Sequence, residues 1–212
     1  MNGFWRRGDQ SGDRIATRAV SLALLAALGS IVSPAGAATF KVDPEHTAVL
    51  FNVRHLFTTV TGRFEKFQGQ IDFDEHHPDK THVEGTIDAA SVNTNVKKRD
   101  DDLRSKNFFE VAKYPKIVFK STGVTDVDPT GKRAKLAGVL AMHGVEKPIV
   151  LQVEFLGRGK DPWGNERAGF HASTTINRKD WGLNWNEALE TGGVLVGDDV
   201  TIEINAEGLA QK

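Results

Sequence analysis

From residue 48 onward, hydrophobic and polar side chains alternate in short runs. Val49, Phe51 and Val53 share one face of TAVLFNVRH, with Asn52 and Arg54 on the other. Phe67, Ile71 and Phe73 oppose Gln68, Gln70 and Asp72; Val83, Gly85 and Ile87 alternate with Glu84, Thr86 and Asp88. Ile117 and Phe119 stand opposite Lys116, Val118 and Lys120. Residues 134–142 are apolar on both faces, with Leu136, Leu140 and Met142 the bulkier set. Ile149, Leu151, Val153 and Phe155 are set against Gln152 and Glu154. Phe170, Ala172, Thr174 and Ile176 make a further row, and Val200, Ile202, Ile204 and Ala206 the last. Alternation over four to eight residues is the mark of half-buried antiparallel strands.

This pattern predicts eight strands joined by turn chemistry at His76–Asp79, Asp128–Gly131, His143-Gly144 and Asp161–Asn165. No repeat, linker or composition break marks a second domain. Eight amphipathic strands can close into a barrel and so remove their edges. A barrel of that size has an interior filled by side chains or able to hold one small ligand. A two-sheet sandwich is the competing architecture. Gly69, Gly85, Gly138 and Ala172 fall on the inward rows and would leave room there.

One segment breaks the alternation. In KKRDDDLRSKNFFEVAKYPK (97–116), Lys98–Asp102, Asp100–Arg104 and Asp102–Lys106 are spaced as opposite charges on a helix surface. Val96 and Leu103 share a face that leads into Phe108 and Phe109, and Tyr114-Pro115 stops the helix before the next strand. The segment reads as a short helix between the third and fourth strands, from about Val96 to Lys106. It is charged outward and lies across an open end of the barrel.

The N-terminus carries a different signal. Arg6, Arg7, Arg14 and Arg18 precede a 14-residue apolar run, Ala19–Val32, followed by Pro34 and Ala35-Gly36-Ala37. That order is a secretory leader with cleavage after Ala37, and the run is shorter than the ~20 residues that span a bilayer. A retained anchor is the alternative. Losing four arginines and two aspartates with the leader takes the formal charge from −1 to −3. The remaining domain (38–212) has no further apolar run long enough to span a membrane and no basic footprint for nucleic acid. With no cysteine, an exported, periplasmic chain must rest on its core alone.

Candidate chemistry is sparse. Adjacent aspartates on a helix point in different directions, so Asp100, Asp101 and Asp102 are expected on a solvated face, each near a base. The seven histidines form no recognised metal spacing. His76, His77 and His82 cluster around a turn, His46 and His55 lack an obvious acid partner, and His143 is expected to hydrogen-bond within its hairpin. Asp198-Asp199 looks like a turn. There is no G-x-S-x-G elbow and no phosphate-cradling loop. An apolar interior remains, filled or hollow on composition alone.

The segments themselves resemble a family. SVNTNVKKRDDDLRSKNFFEVAKYPKIVFKST, AMHGVEKPIVL, DPEHTAVLFNVRHLFTTVTGRFEKFQGQIDFD and TTINRKDWGLNW are similar in order to the motifs of the YceI-like proteins, across Thr39–Leu209. Asp102, Glu146 and Asn107 depart from that pattern at expected surface or turn positions. The resemblance implies an all-β, eight-stranded antiparallel lipocalin-like barrel in the periplasm. It also implies a tunnel for a polyisoprenoid or similar amphiphile, quinone-like or a prenyl phosphate, and no cofactor, metal or catalytic residue. Ligand-lining residues would then be Val49, Phe51, Val53, Phe67, Ile71, Phe73, Ile87, Ile117, Phe119, Leu136, Leu140, Ile149, Leu151, Val153, Phe170 and Ile202, with Leu103, Phe108 and Phe109 from the rim. An enzyme using the same cavity, and a stress-response protein with a filled barrel and a protein partner, are the alternatives. A homodimer stays open.

Overall fold

A computed structural model describes residues 37–188, 192 and 194–211, so the expected leader lies outside it but for Ala37. The strands are β1 (Ala38–Val42), β2 (Ala48–His55), β3 (Thr58–Phe64), β4 (Phe67–Phe73), β5 (His82–Asp88), β6 (Val92–Asn93), β7 (Lys116–Thr125), β8 (Arg133–Met142), β9 (Val145–Lys160), β10 (Glu166–Asn177) and β11 (Val196–Ala210). Helix α1 (Lys97–Arg104) separates β6 from β7.

Hydrogen bonding runs β1-β4-β5-β7-β8-β9-β10-β11, and β11 pairs back onto β1, so the sheet closes on itself. β11 meets β1 through its C-terminal residues and β2 through its N-terminal ones. β1 and β2 are therefore two halves of one bent strand. β3 with β4, and β5 with β6, are bent strands of the same kind. The result is the eight-stranded antiparallel barrel expected from the alternation, not a sandwich, with its first three staves bent.

Short polar side chains make the bends. The Asp43 carboxylate accepts from the Glu45 N–H (3.0 Å) between β1 and β2. Asp88 accepts from the Ala90 N–H (3.1 Å), opening a 3-10 turn over Ala89–Ser91, and the Ser91 hydroxyl takes the Lys66 N–H (3.0 Å) across the β3–β4 bend. Such local bonds give the backbone an alternative to the ladder. Between β8 and β9, His143 (φ 52°) and Gly144 (φ 77°) form a two-residue turn with both residues left-handed, the geometry that matches strand twist.

The expected turn at Asp198-Asp199 is instead continuous strand inside β11. Helix α1 ends at Arg104, short of the expected Lys106, because Ser105 takes an extended conformation. The Asp102 carboxylate then accepts from the Ser105 hydroxyl and the Asn107 amide (2.8 Å), drawing the chain out of the helix.

Two apolar clusters lie along the barrel. One includes Val49, Phe51, Phe64, Ile117, Leu140 and Trp181. The other is Phe40, Ile71, Phe73, Phe155 and Ala168 near the opposite end. Trp181 sits on a 3-10 turn after β10 (Arg178–Trp181), is 2 % exposed, and donates its indole N–H to the Leu140 carbonyl (3.0 Å).

Candidate functional site: an apolar cavity in the barrel

The helical end of the barrel is assembled by charge. β6 pairs only with β3, and β5 rather than β6 pairs with β7, so the wall opens there. α1 occupies this gap, and Arg104 pins it by donating to the carbonyls of Ala90 (2.7 Å) and Val92 (2.6 Å). The three aspartates diverge. Asp101 pairs with Lys97 (2.6 Å) and Arg104 (3.4 Å) on the outside. Asp100 is not on a solvated face: it is 7 % exposed and accepts both the backbone N–H (2.8 Å) and the hydroxyl (2.6 Å) of Thr94. Both donors belong to the loop just before the helix, and satisfying them draws the Asp100 carboxylate inward. Asp102 and Asn107, two of the departures from the family pattern, bond to each other on the cavity rim rather than standing apart on the surface.

Inside the ring lies a cavity of about 1220 Å³, above the ~300–1,000 Å³ usual for small-molecule pockets. The centre is therefore hollow, and the filled-barrel reading does not hold. Every residue expected to line the ligand site lies on its wall, Leu103, Phe108 and Phe109 from the connecting segment included; Thr174 and Gly138, also on inward rows, do not. Sequence reasoning missed Phe64, Leu183 and Trp185, which also face it. Phe64 ends β3, where Gly62 and Arg63 interrupt any readable row. Trp185 follows a turn and stacks on Phe108 (ring centroids 5.3 Å apart). Aromatic residues at strand ends beside a predicted rim are the signal that could have found them.

The glycines divide in a way that composition did not show. At Gly138 a Cβ would fall 2.4 Å from the Phe119 ring, and at Gly69 one would press on Val42 and the Glu84 carbonyl. Neither leaves room, because a neighbour already fills it. Gly85, opposite Phe119 in the ladder, has nothing within 4 Å of a Cβ and opens directly on the cavity.

At the helical end His55, Thr94, Lys98, Arg99, Lys106 and Asn107 border the cavity, and Thr81, Lys132, Glu154 and His171 border it toward the other end. One hydroxyl, histidine and carboxylate do meet: Ser121 Oγ lies 3.1 Å from His82 Nδ1, whose Nε2 lies 3.6 Å from Glu84, and of the three Glu84 alone borders the cavity. His143 turns away from its own hairpin: Nδ1 donates to the Trp181 carbonyl (3.0 Å) and the ring meets Tyr114 edge-on (4.8 Å).

The opposite end holds a charged network. His46 does have an acid partner, Asp43, three residues before it (2.8 Å). Asp43, His46 and Glu207 together have the spacing of a cation site. The Arg167 guanidinium stands in its place, donating to Asp43 (2.7 Å) and Glu207 (2.6 Å), so a cation would first have to displace it.

A YceI-like domain model matches residues 40–208. A UPF0312 protein of Pseudomonas paraeruginosa is 39 % identical over 191 residues, covering 87 % of this chain and 95 % of that one. One from Photorhabdus laumondii is 42 % identical over 152 residues, 70 % of this chain and 78 % of that one. Among solved structures, the Campylobacter jejuni YCEI protein superposes with a TM-score of 0.64 at 30 % identity, over 75 % of this chain and 90 % of that one. A polyisoprenoid binding domain from Saccharophagus degradans shares the fold (TM-score 0.58, 19 % identity, 82 % and 99 % covered).

Proposed function

This chain belongs to the YceI-like family, and on that premise we propose that it is a carrier that holds a polyisoprenoid or similar long-chain amphiphile in its barrel. The single observation that carries this reading is the wall of the cavity, built mainly of Phe, Leu, Ile and Val along its length. Burying apolar surface contributes ~25 cal/mol per Å2, so a hydrocarbon tail gains affinity along its whole length without specific polar contacts. A headgroup, quinone-like or phosphorylated, would then stay at the end that offers Lys98, Lys106 and Asn107. The fold shared with a polyisoprenoid binding domain supports such an occupant.

In this reading the arginine-rich N-terminus is a leader that is removed after Ala37 and delivers the carrier to the periplasm; the start of β1 at Ala38 supports that boundary. Function in this reading is binding and delivery, without chemistry on the ligand.

The test is extraction of protein purified without detergent from its native periplasm, followed by lipid mass spectrometry and by intact mass. The expected result is a long-chain isoprenoid or comparable amphiphile bound to a chain that begins at Ala38. Recovery of water-soluble metabolites alone would refute the carrier.

A further inference from the structure

Phe57 is 94 % exposed, the most exposed of the large hydrophobic side chains in the described residues. It sits at the tip of the β2–β3 hairpin, just after Leu56, whose left-handed backbone (φ 51°) turns the chain. The same hairpin contributes Val53, His55 and Val60 to the cavity wall, so the tip stands at the cavity's helical end. The Leu56 N–H is bonded to the Leu195 carbonyl (2.9 Å), which ties the tip to the loop preceding β11.

The hairpin that carries this tip is itself basic. From Ala48 to Phe64 the hairpin carries Arg54 and Arg63 and no carboxylate. Lys98 and Lys106 lie on the cavity rim, and neither they nor Arg54 make an ion pair among the described residues. Three neighbouring acids are engaged: Asp101 with Lys97 and Arg104, Asp102 with Asn107, and Asp198 with Lys179. Glu187 on the adjoining loop and Asp199 in the β11 stretch opposite Arg54 are exposed and offset part of this charge.

We propose that this end of the barrel docks on an anionic phospholipid bilayer, with Phe57 inserted at the headgroup–acyl boundary and Arg54, Lys98 and Lys106 against lipid phosphates. The inference rests on the carrier reading. A long-chain amphiphile resides in a membrane rather than in water, so the mouth that loads it has to meet a bilayer. An exposed aromatic flanked by unpaired cations is the side-chain set that interfacial binding uses. Docking would hold the mouth at the surface while the tail slides between bilayer and barrel without crossing water.

Flotation with large unilamellar vesicles tests this, using phosphatidylcholine alone or with 30 % (~) phosphatidylglycerol at low salt. Wild type is expected to float with the anionic vesicles and not the neutral ones. Phe57→Ser and the Lys98→Glu/Lys106→Glu pair should each reduce the bound fraction about fivefold or more, by loss of one inserted ring or of charge attraction. Trp163→Ser is the control, since Trp163 is 81 % exposed but lies on the β9–β10 turn at the other end. It should float like wild type. Unchanged melting confirms that each variant is folded.

Equal flotation of Phe57→Ser and wild type, an equal loss in Trp163→Ser, or no flotation of wild type at all would overturn the proposal. A wild-type dimer on sizing that Phe57→Ser dissolves would overturn it too, by giving this surface to a second copy. The two readings fail separately. Lipid recovered from a protein that ignores vesicles removes only the docking, whereas vesicle binding by a protein that yields no lipid removes only the cargo.

Discussion

Arg167 ties together the end of the barrel away from the helix. Its guanidinium donates to Asp43 (2.7 Å), Glu207 (2.6 Å) and Asp161 (2.9 Å), joining the β1–β2 bend, β11 and the β9–β10 turn. Arg167 first, then His46, hold the Asp43 carboxyl down to about 2. Asp43 in turn raises the His46 imidazole above its ordinary value. The two groups act in opposite pH windows. Asp43 contributes stability that is complete above its unfolded value near 3.8 and is lost as the pH falls toward about 2. His46, with a raised value, contributes below about 6.5 and loses its contribution as the pH rises through its folded value. His46→Asn should therefore lower the calorimetric melting midpoint by about 1–2 °C at pH 6 and leave it unchanged at pH 9. An equal loss at both would assign His46 a packing role instead.

Trp181 makes the opposite kind of contribution, apolar and buried. Replacing it by Ala should cost ~3–5 kcal/mol in urea unfolding, from lost packing and the cavity left behind. Trp181→Phe keeps part of the ring and should cost ~1–2 kcal/mol, for the lost bond to the Leu140 carbonyl and the smaller side chain. Neither residue's part was legible in the sequence. Trp181 lies on a 3-10 turn with no period to read, and the His46–Asp43 contact depends on a bend that alternation does not encode. Asp100 was misread because charge spacing describes a helix surface and is blind to the loop before it, where Thr94 supplies the donors.

Among the elements, the strands were the legible part, because one face is apolar and a slip of one residue would turn it to solvent. The bends that divide the first three staves come from Asp88, Ser91 and Asp43 bonding to nearby backbone, and short polar residues of that kind are common in straight segments too. The glycine rows show what a strand pattern leaves out. Gly138→Ala should destabilise by ~1–3 kcal/mol, since its methyl group meets Phe119 and the Lys120 carbonyl. Gly85→Leu, with open space before it, should fold with a midpoint close to wild type. Equal destabilisation of the two would mean that the Gly85 side of the wall is closed.

Helix α1 joins the rim to the cavity through Leu103, which packs against the larger apolar cluster. In the carrier reading Leu103→Asp should empty the cavity of lipid while the barrel persists, as read by native mass spectrometry and far-UV circular dichroism. Undiminished lipid in that variant would remove α1 from the binding surface.

At the scale of the whole molecule, closure of the sheet removes its open edges except at the gap that α1 fills and leaves a hollow centre, and the same alternation that builds the strands lines that hollow. The family's motifs carried the inference from apolar interior to open cavity, since composition fits a packed core equally well. What neither conveyed was the polarity along the axis. The tangle of Arg167 with its carboxylates occupies one end; the lid helix, Phe57 and unpaired cations occupy the other.

The most direct test of the central claim places a large side chain where the barrel is empty. Gly85→Phe should fold like wild type, yet native mass spectrometry should show the lipid-sized mass increment of wild type absent or reduced at least tenfold, because the ring takes the space of the tail. The same increment at full occupancy in Gly85→Phe would place the ligand elsewhere and contradict the account.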